Sequence, residues 1–442
     1  MTEYHSYADA LQEAEDAQER KGPGPSKLRP AIIIPTFWTV ESAKVINDPT
    51  AKITYEHPTD IEDPQPGLAV LLNSLVDKRR VEKIIIVVGV TDRMLLSRAD
   101  ERVREIAAAY PQLDIFVMGE AETGSLFRRL EQLDLEGLVP SLDLDSYGAT
   151  RNLGLMAAAV LGKDSVIFID DDEVVEDDEF VETGLFGLGL QIHNGGRLLA
   201  KSGYYTNRDG SWQHPVENDA WTDRLWQQEA AFNKALATVM QPPRLQPARI
   251  AFGGCMALHK DVYTTIAFDP WVTRGEDLDY LINLRLHGGE MYIDDEWSIM
   301  HLSPAVASRA LRFRQDMYRF VYEHRKLEFA KSQVDLSRVT PESLAPYPGD
   351  FVDASVGTRA RITSLLRALS GSERSMYWHV GTKSVKDAGE YARKHCGHYF
   401  ALQRAWTYMM ERLFNDVPLG TQFKGERSID RTALTGEFRA LQ

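Results

Sequence analysis

Residues Val166 to Glu173 read Val-Ile-Phe-Ile-Asp-Asp-Asp-Glu, an apolar run that stops abruptly at consecutive carboxylates. Four β-formers in a row suit a strand covered on both faces, as in a parallel sheet between helix layers. In open α/β sheets, ligands bind just beyond the carboxyl ends of strands, so these acidic residues are expected at a site. Asp170 and Asp172 are spaced to grip a hard divalent cation, and such a cation can neutralise a departing diphosphate. Taken alone, the same pattern would also fit an acidic, solvated turn.

Immediately upstream stands Gly148-Ala149-Thr150-Arg151-Asn152-Leu153-Gly154-Leu155, and Leu153, Met156, Ala157, Val160 and Leu161 recur at helical spacing. Thr150 is expected to cap the start of this helix and Gly162 to end it. The order is therefore loop, helix, short turn, buried strand, carboxylates. Ala31 to Ile34, Ile84 to Val88 and Ile115 to Val117 read as further short strands. Between them, Leu68, Leu71, Leu72 and Leu75, then Leu95, Ala99, Val103, Ile106 and Tyr110, fall on helix faces.

Together these pieces resemble the glycosyltransferases of the family-two type with a GT-A fold, in which an Arg-Asn-x-Gly helix precedes the strand carrying Asp-x-Asp. The match runs unbroken from Gly148 to Glu173, and the wider resemblance covers roughly residues 30 to 305. It implies an α/β, Rossmann-like sheet, mixed and mostly parallel, flanked by helices, and a UDP- or GDP-linked sugar donor. The family opens with a strand, Pro and a small polar residue, here Pro35 and Thr36. Arg151, Asn152, Asp170, Asp171, Gly253 and Gly254 also fall on donor-side positions. After the second strand the family carries acidic residues near the nucleotide base. Here only Asp92 keeps such a position, which leaves the choice of base open.

A second constellation is Phe252-Gly253-Gly254-Cys255-Met256-Ala257 followed by Arg274-Gly275-Glu276-Asp277-Leu278-Asp279-Tyr280. Paired glycines let backbone approach a ligand, and Leu278, Leu281 and Ile282 make a helical stripe closed by Gly288-Gly289. Glu276 and Asp277 thus open a helix, where acidic residues are also favoured by the helix dipole. In inverting members of the family an acidic pair at this helix supplies the catalytic base, which places Asp277, with Glu276 beside it, in the catalytic position. The chemistry needs such a group, because an acceptor hydroxyl is a weak nucleophile until its proton is removed.

Metal-dependent relatives place a histidine after the last strand of the domain, and His301 holds that position. Asp170, Asp172 and His301 are then the implied metal ligands, for Mn²⁺ in preference to Mg²⁺ because one donor is an imidazole. The overall layout resembles galactofuranosyl-transferring members, without carrying over their substrate. Acceptor contacts in the family come from the region between the metal strand and the Gly-Gly loop. Tyr204 and Trp212 are the candidates there, core packing being the other reading of both.

The organisation expected is a polar leader and linker over 1–28, the glycosyltransferase domain over 29–304, an appended C-terminal helical region over 305–420 and a polar tail over 421–442. The domain splits into a donor half, about 29–173, and an acceptor half, about 174–304. The C-terminal helices either pack on the sheet or build a homo-oligomer. The stretch 37–66, with His57, reads as an inserted loop or lid. A formal charge of −15 argues against nucleic acid or an anionic membrane as the main partner. The two cysteines suit a reducing compartment, and no stretch is apolar enough for an integral membrane segment. A soluble, cytoplasmic enzyme acting on a hydroxyl acceptor is therefore expected.

Three alternatives stay open at this level. A retaining enzyme would share the fold and the metal motif but not the base. A sugar nucleotidyltransferase would want a Gly-rich basic loop after the first strand, where this chain has Pro35-Thr36-Phe37-Trp38. A non-catalytic nucleotide-sugar or carbohydrate-binding protein would keep its carboxylates for structure. Gly162-Lys163 followed by Asp164 is not a P-loop.

Overall fold

The computed structural model describes residues 27–40, 57–143, 145–192, 196–214, 216, 221–302, 308–370 and 372–423. Most of the leader, the tail beyond 423, the middle of the 37–66 insertion and Ser303-Pro304 lie outside these residues.

Strand β1 (Pro30–Thr39) begins the sheet; short β2 (Thr59–Asp60) pairs with its end, and helix α1 (Gly67–Leu75) follows. All four leucines predicted to face inward from α1 are buried. β3 (Ile84–Val90), α2 (Leu96–Ala108), β4 (Ile115–Met118) and α3 (Glu120–Gln132) continue the alternation. The strands outrun their predicted ends: β1 passes through Pro35 because the neighbouring strands keep pairing with it, Pro35 opposite Val87 and Thr36 opposite Val88.

Helix α4 (Tyr147–Val160) starts about one turn earlier than expected, because its N-cap is Ser146, whose hydroxyl accepts from the Ala149 N–H. Thr150 therefore lies inside the helix and donates its hydroxyl to the Ser146 carbonyl. Gly162, at φ +66°, ends the helix as predicted. β5 (Ser165–Phe168) and β6 (Glu173–Val174) flank the acidic run; β7 (Ala200–Thr206), α5 (Gln228–Val239), β8 (Leu245–Pro247) and β9 (Met256–His259) follow. Helix α6 (Glu276–Leu286) and β10 (Tyr292–His301) complete the sheet region.

The sheet order is β4-β3-β1-β5-β9-β7-β10-β6, with β8 on β10. β4, β3, β1 and β5 run parallel, whereas β9 is antiparallel to both neighbours. Successive strands from β1 go outward to β3 and β4, then return on the other side at β5. The crevice between the ends of β1 and β5 is thus a topological switch point, the place where such sheets bind ligands. The residues of β1, β3 and β5 are buried throughout, so each large aliphatic side chain there contributes about 1.5–3 kcal/mol.

Beyond the sheet come α7 (Arg309–Ala330), α8 (Val356–Ser370) and the 29-residue α9 (Val385–Leu413). One hydrophobic cluster contains Ile33 and Phe168 from the sheet together with Phe320, Tyr399 and Trp406 from these helices. The C-terminal helices are packed on the sheet rather than hung from it. Among the described residues, no helix is long and apolar enough to cross a membrane.

Candidate active site

The acidic run leaves the end of β5 at the switch point. Thr36 on β1 is fully buried and donates its hydroxyl to Asp171 Oδ2 at 2.5 Å. β6 brings the far end of the sheet back, because Glu173 pairs in register with His301 at the end of β10. That pairing sets the His301 Nε2 atom 3.2 Å from Asp172 Oδ2. His57, where the insertion re-enters the described residues, also stands close enough for its charge to act on Asp172.

The electrostatics of this cluster are lopsided. Burial raises the carboxyls of Asp170, Asp171 and Glu173, and repulsion among the neighbouring acids adds to it; Asp171 is pushed up to about 8. Burial would raise Asp172 too, but its hydrogen bond to His301 and the His301 charge hold it below the usual range. Two carboxylates and an imidazole beside surplus negative charge are donors of the type a divalent cation takes. Among the described residues, no three such side chains are already gathered around a common point.

Arg151 joins this cluster to the second one. It is 3% exposed, and its guanidinium donates to Asp170 Oδ1 at 2.8 Å, to Glu276 Oε1 at 2.7 Å and to the Gly253 carbonyl at 3.1 Å. Asp170 and Glu276 hold its pKa above the usual range although burial opposes them. Such a guanidinium is a cross-link, and from this position Arg151 braces the two acidic clusters against each other. Asn152 is likewise spent on the fold: fully buried, it gives its amide to the Phe268 carbonyl and accepts from the Phe268 N–H, both at 2.9 Å.

The two glycines are explained by the same crowding. A Cβ on Gly253 would lie 2.4 Å from an Arg151 guanidinium nitrogen, and one on Gly254 2.0 Å from Glu173 Oε1. The Arg151 and Glu173 side chains claim that space. On α6 the acidic pair divides its work. Glu276 is buried and held by Arg151, whereas Asp277 is half-buried and among the described residues accepts from backbone, Gly253 N–H at 3.1 Å and Leu278 N–H at 2.7 Å. Burial, with the Glu276 charge behind it, pushes Asp277 up to about 6.

Asp92 is exposed at the end of β3 and accepts from the Met94 N–H, capping a short helical turn. On β7 the neighbours Tyr204 and Tyr205 point to opposite faces, as successive strand residues must. Tyr204 bonds Ser298, away from the acidic cluster. Tyr205, which sequence reasoning passed over, is the one at the site. Its hydroxyl accepts from Gly254 N–H at 2.8 Å, lies 3.4 Å from Asp170 Oδ2, and its ring stacks on His301 at 5.0 Å. Glu173, also passed over, bonds the Asp170 N–H at 2.9 Å and so shapes the acidic turn.

From Tyr205 a run of aromatic contacts leads outward through Phe252 and Phe232 to His214. His214 lines an open depression of about 710 Å³ together with Asn207, Arg208, Ser211, Gln213 and Asn233. Trp212 is half-buried against the core beside it.

A switch-point carboxylate cluster, braced by one arginine to an acidic helix start, is the arrangement of a GT-A glycosyltransferase. The model of glycosyltransferase-like family 2 matches residues 86–319, more than half of the chain, and the chain belongs to that family. Among solved structures, it is similar to the mannosyltransferase PcManGT from Pyrobaculum calidifontis, in complex with GDP-Man and Mn²⁺. That likeness spans 92% of this chain and 93% of the other at 13% identity, with a TM-score of 0.43. GalNAc-T7 with UDP, GalNAc and Mn²⁺ is similar over 70% of this chain and 52% of its own, at 8% identity and a TM-score of 0.35. A mycobacterial protein is similar over 72% and 79%, at 16% identity and a TM-score of 0.33. No curated protein matches the chain.

Proposed function

We propose that this glycosyltransferase moves a sugar from a UDP- or GDP-linked donor to a hydroxyl acceptor, with inversion, and that Asp277 is the general base. The observation that carries the reading is the split between Glu276 and Asp277. One carboxylate is locked to Arg151, while its neighbour is left half-buried, accepts from backbone N–H groups, and is raised toward neutral pH although the Arg319 and Arg151 charges oppose it. A base poised near the working pH is the most effective one.

Asp277 takes the proton of the acceptor hydroxyl as its oxygen attacks the anomeric carbon. The bond from that carbon to the diphosphate oxygen breaks, its electron pair leaves with the diphosphate, and a single displacement inverts the centre. Asp170, Asp172 and His301 would hold a divalent cation, Mn²⁺ or Mg²⁺, which when bound supplies positive charge for the leaving diphosphate. Arg151 keeps Asp170 and the Gly253 carbonyl fixed relative to α6, so donor and base positions stay in register. The depression around His214 supports an acceptor side rich in hydrogen-bonding groups, suited to sugar hydroxyls.

The test is product-anomer analysis by NMR, together with thermal melting against UDP and GDP, each with and without Mn²⁺. An inverted product, lost in Asp277→Asn while a metal-dependent rise in Tm with one nucleotide persists, is expected. A product with the donor's own anomeric configuration would remove Asp277 from its role.

A further inference from the structure

The acidic chain contains one basic stretch that the overall charge conceals. Residues 356–386 hold six Arg and Lys against a single Glu, in a chain whose formal net charge is −15. The single acid, Glu373, is turned inward to accept from Ser308 and from the Ala310 N–H. The exposed charged residues of this stretch are Arg361, Arg374, Lys383 and Lys386; the last stands 3.6 Å from Glu390 and next to exposed Asp387, which bound the basic surface on that side.

The same stretch has an inverted helix. α8 buries Val356, Ala360, Thr363, Ser364 and Ala368, a small and partly polar face. On the opposite side stand Ile362, 41% exposed, and Leu369, 67% exposed, one heptad apart, with half-buried Leu366 between them. Such a stripe normally faces the core. Trp378, 57% exposed, follows on the next short helix, Arg374–His379. Arg367 fastens α8 to Asp223 at 2.7 Å, and the turn so held carries Trp221, 58% exposed, directly after the acceptor-side segment.

We infer that α8 and the adjoining short helix form a peripheral docking surface for an anionic lipid bilayer. Exposed Trp and Leu can enter the headgroup boundary while a surrounding set of exposed Arg and Lys meets the negative lipid charge. The excess of acid elsewhere on the chain keeps the rest of the surface away from the same membrane, so docking has one orientation. The inference stands apart from the transfer chemistry and is tested by binding.

The experiment is co-sedimentation of the full chain with phosphatidylcholine vesicles, with and without phosphatidylglycerol, over a range of salt. Binding to the anionic vesicles alone, weakening as salt rises, is expected. Arg361→Glu with Arg374→Glu, and separately Leu369→Ser with Trp378→Ser, should each weaken it about tenfold or more. Circular dichroism and Tm of these surface variants serve as the check on folding. No binding to anionic vesicles, or binding that both pairs leave intact in folded protein, overturns the inference. A concentration-dependent dimer that either pair dissolves, without vesicle binding, overturns it in favour of a second copy of the chain.

Discussion

Two buried acidic clusters in this protein are built in opposite ways. Asp269 and Asp279 are fully buried, and Lys326 from α7 lies between them, its ammonium 2.7 Å from Asp269 and 2.8 Å from both oxygens of Asp279. Tyr322 donates to Asp269 at 2.8 Å, Asn283 to Asp279 at 2.8 Å, and the ammonium sits 3.9 Å over the Tyr399 ring. Burial alone would lower the Lys326 pKa, but its two carboxylates hold it raised. At the end of β5, by contrast, four consecutive acids share Arg151, which is also committed to Glu276, and His301. A buried acid that the fold neutralises is structural. Acids left in excess cost stability and mark a place where a cation or substrate completes the charge.

Lys326→Met is the most damaging way to break the contrast. It leaves two buried carboxylates facing each other, and a loss of about 3–5 kcal/mol is expected in denaturant unfolding. A loss below about 1 kcal/mol would mean that the paired cluster is no more compensated than the other one. Because α6 carries Asp279 as well as Asp277, an intermediate loss should come with misplacement of the base and a fall in kcat at unchanged nucleotide affinity.

Asp277→Asn comes next. Transfer should drop roughly 10²–10⁴-fold, the range for a lost general base, without loss of nucleotide binding. A base at Asp277, as proposed, works deprotonated, so kcat should be level above about pH 7 and fall as pH drops through about 6. The linkage to stability runs the opposite way. With the folded pKa raised above the usual ~4 for Asp, the group favours folding at low pH, and that contribution disappears as pH rises to about 6. A pH–rate profile whose acid limb survives in Asp277→Asn would assign the limb to another group.

His301→Ala sharpens the comparison from the other side. It should weaken Mn²⁺ affinity about 10–100-fold, read as the metal needed for the nucleotide-induced rise in Tm. Without metal its melting should change little. A fall in metal-free stability as large as that of Lys326→Met would make His301 a structural partner of Asp172. The smallest effect belongs to Tyr205→Phe, which removes one hydroxyl between Gly254 and Asp170 and is expected to cost about 0.5–1.5 kcal/mol of stability. A loss of metal response equal to that of His301→Ala would move Tyr205 into the cation site.

Much of the sheet around the acidic run was legible along the chain. The strand Val166 to Phe168, the carboxylates after it, the helix before it and the helix opened by Glu276 all follow from period, caps and breakers within a few residues. What the chain did not reveal was reach. Arg151 and Asn152 read as donor contacts from their motif, and only the packed molecule shows their bonds to Asp170, Glu276 and Phe268. Tyr204 and Tyr205 are indistinguishable in sequence, since which strand face meets the site depends on neighbouring strands.

By itself, then, the sequence determined the alternating α/β frame, the switch-point position of the acidic run and the helix that presents Asp277, because local periodicity and capping act over a few residues. Only the tertiary structure decided which charges are neutralised. The partners of Asp170, Asp172 and Asp279 are Arg151, His301 and Lys326, tens to more than a hundred residues away in the chain. Burial and Coulomb energy depend on distance in space, and no local pattern records that.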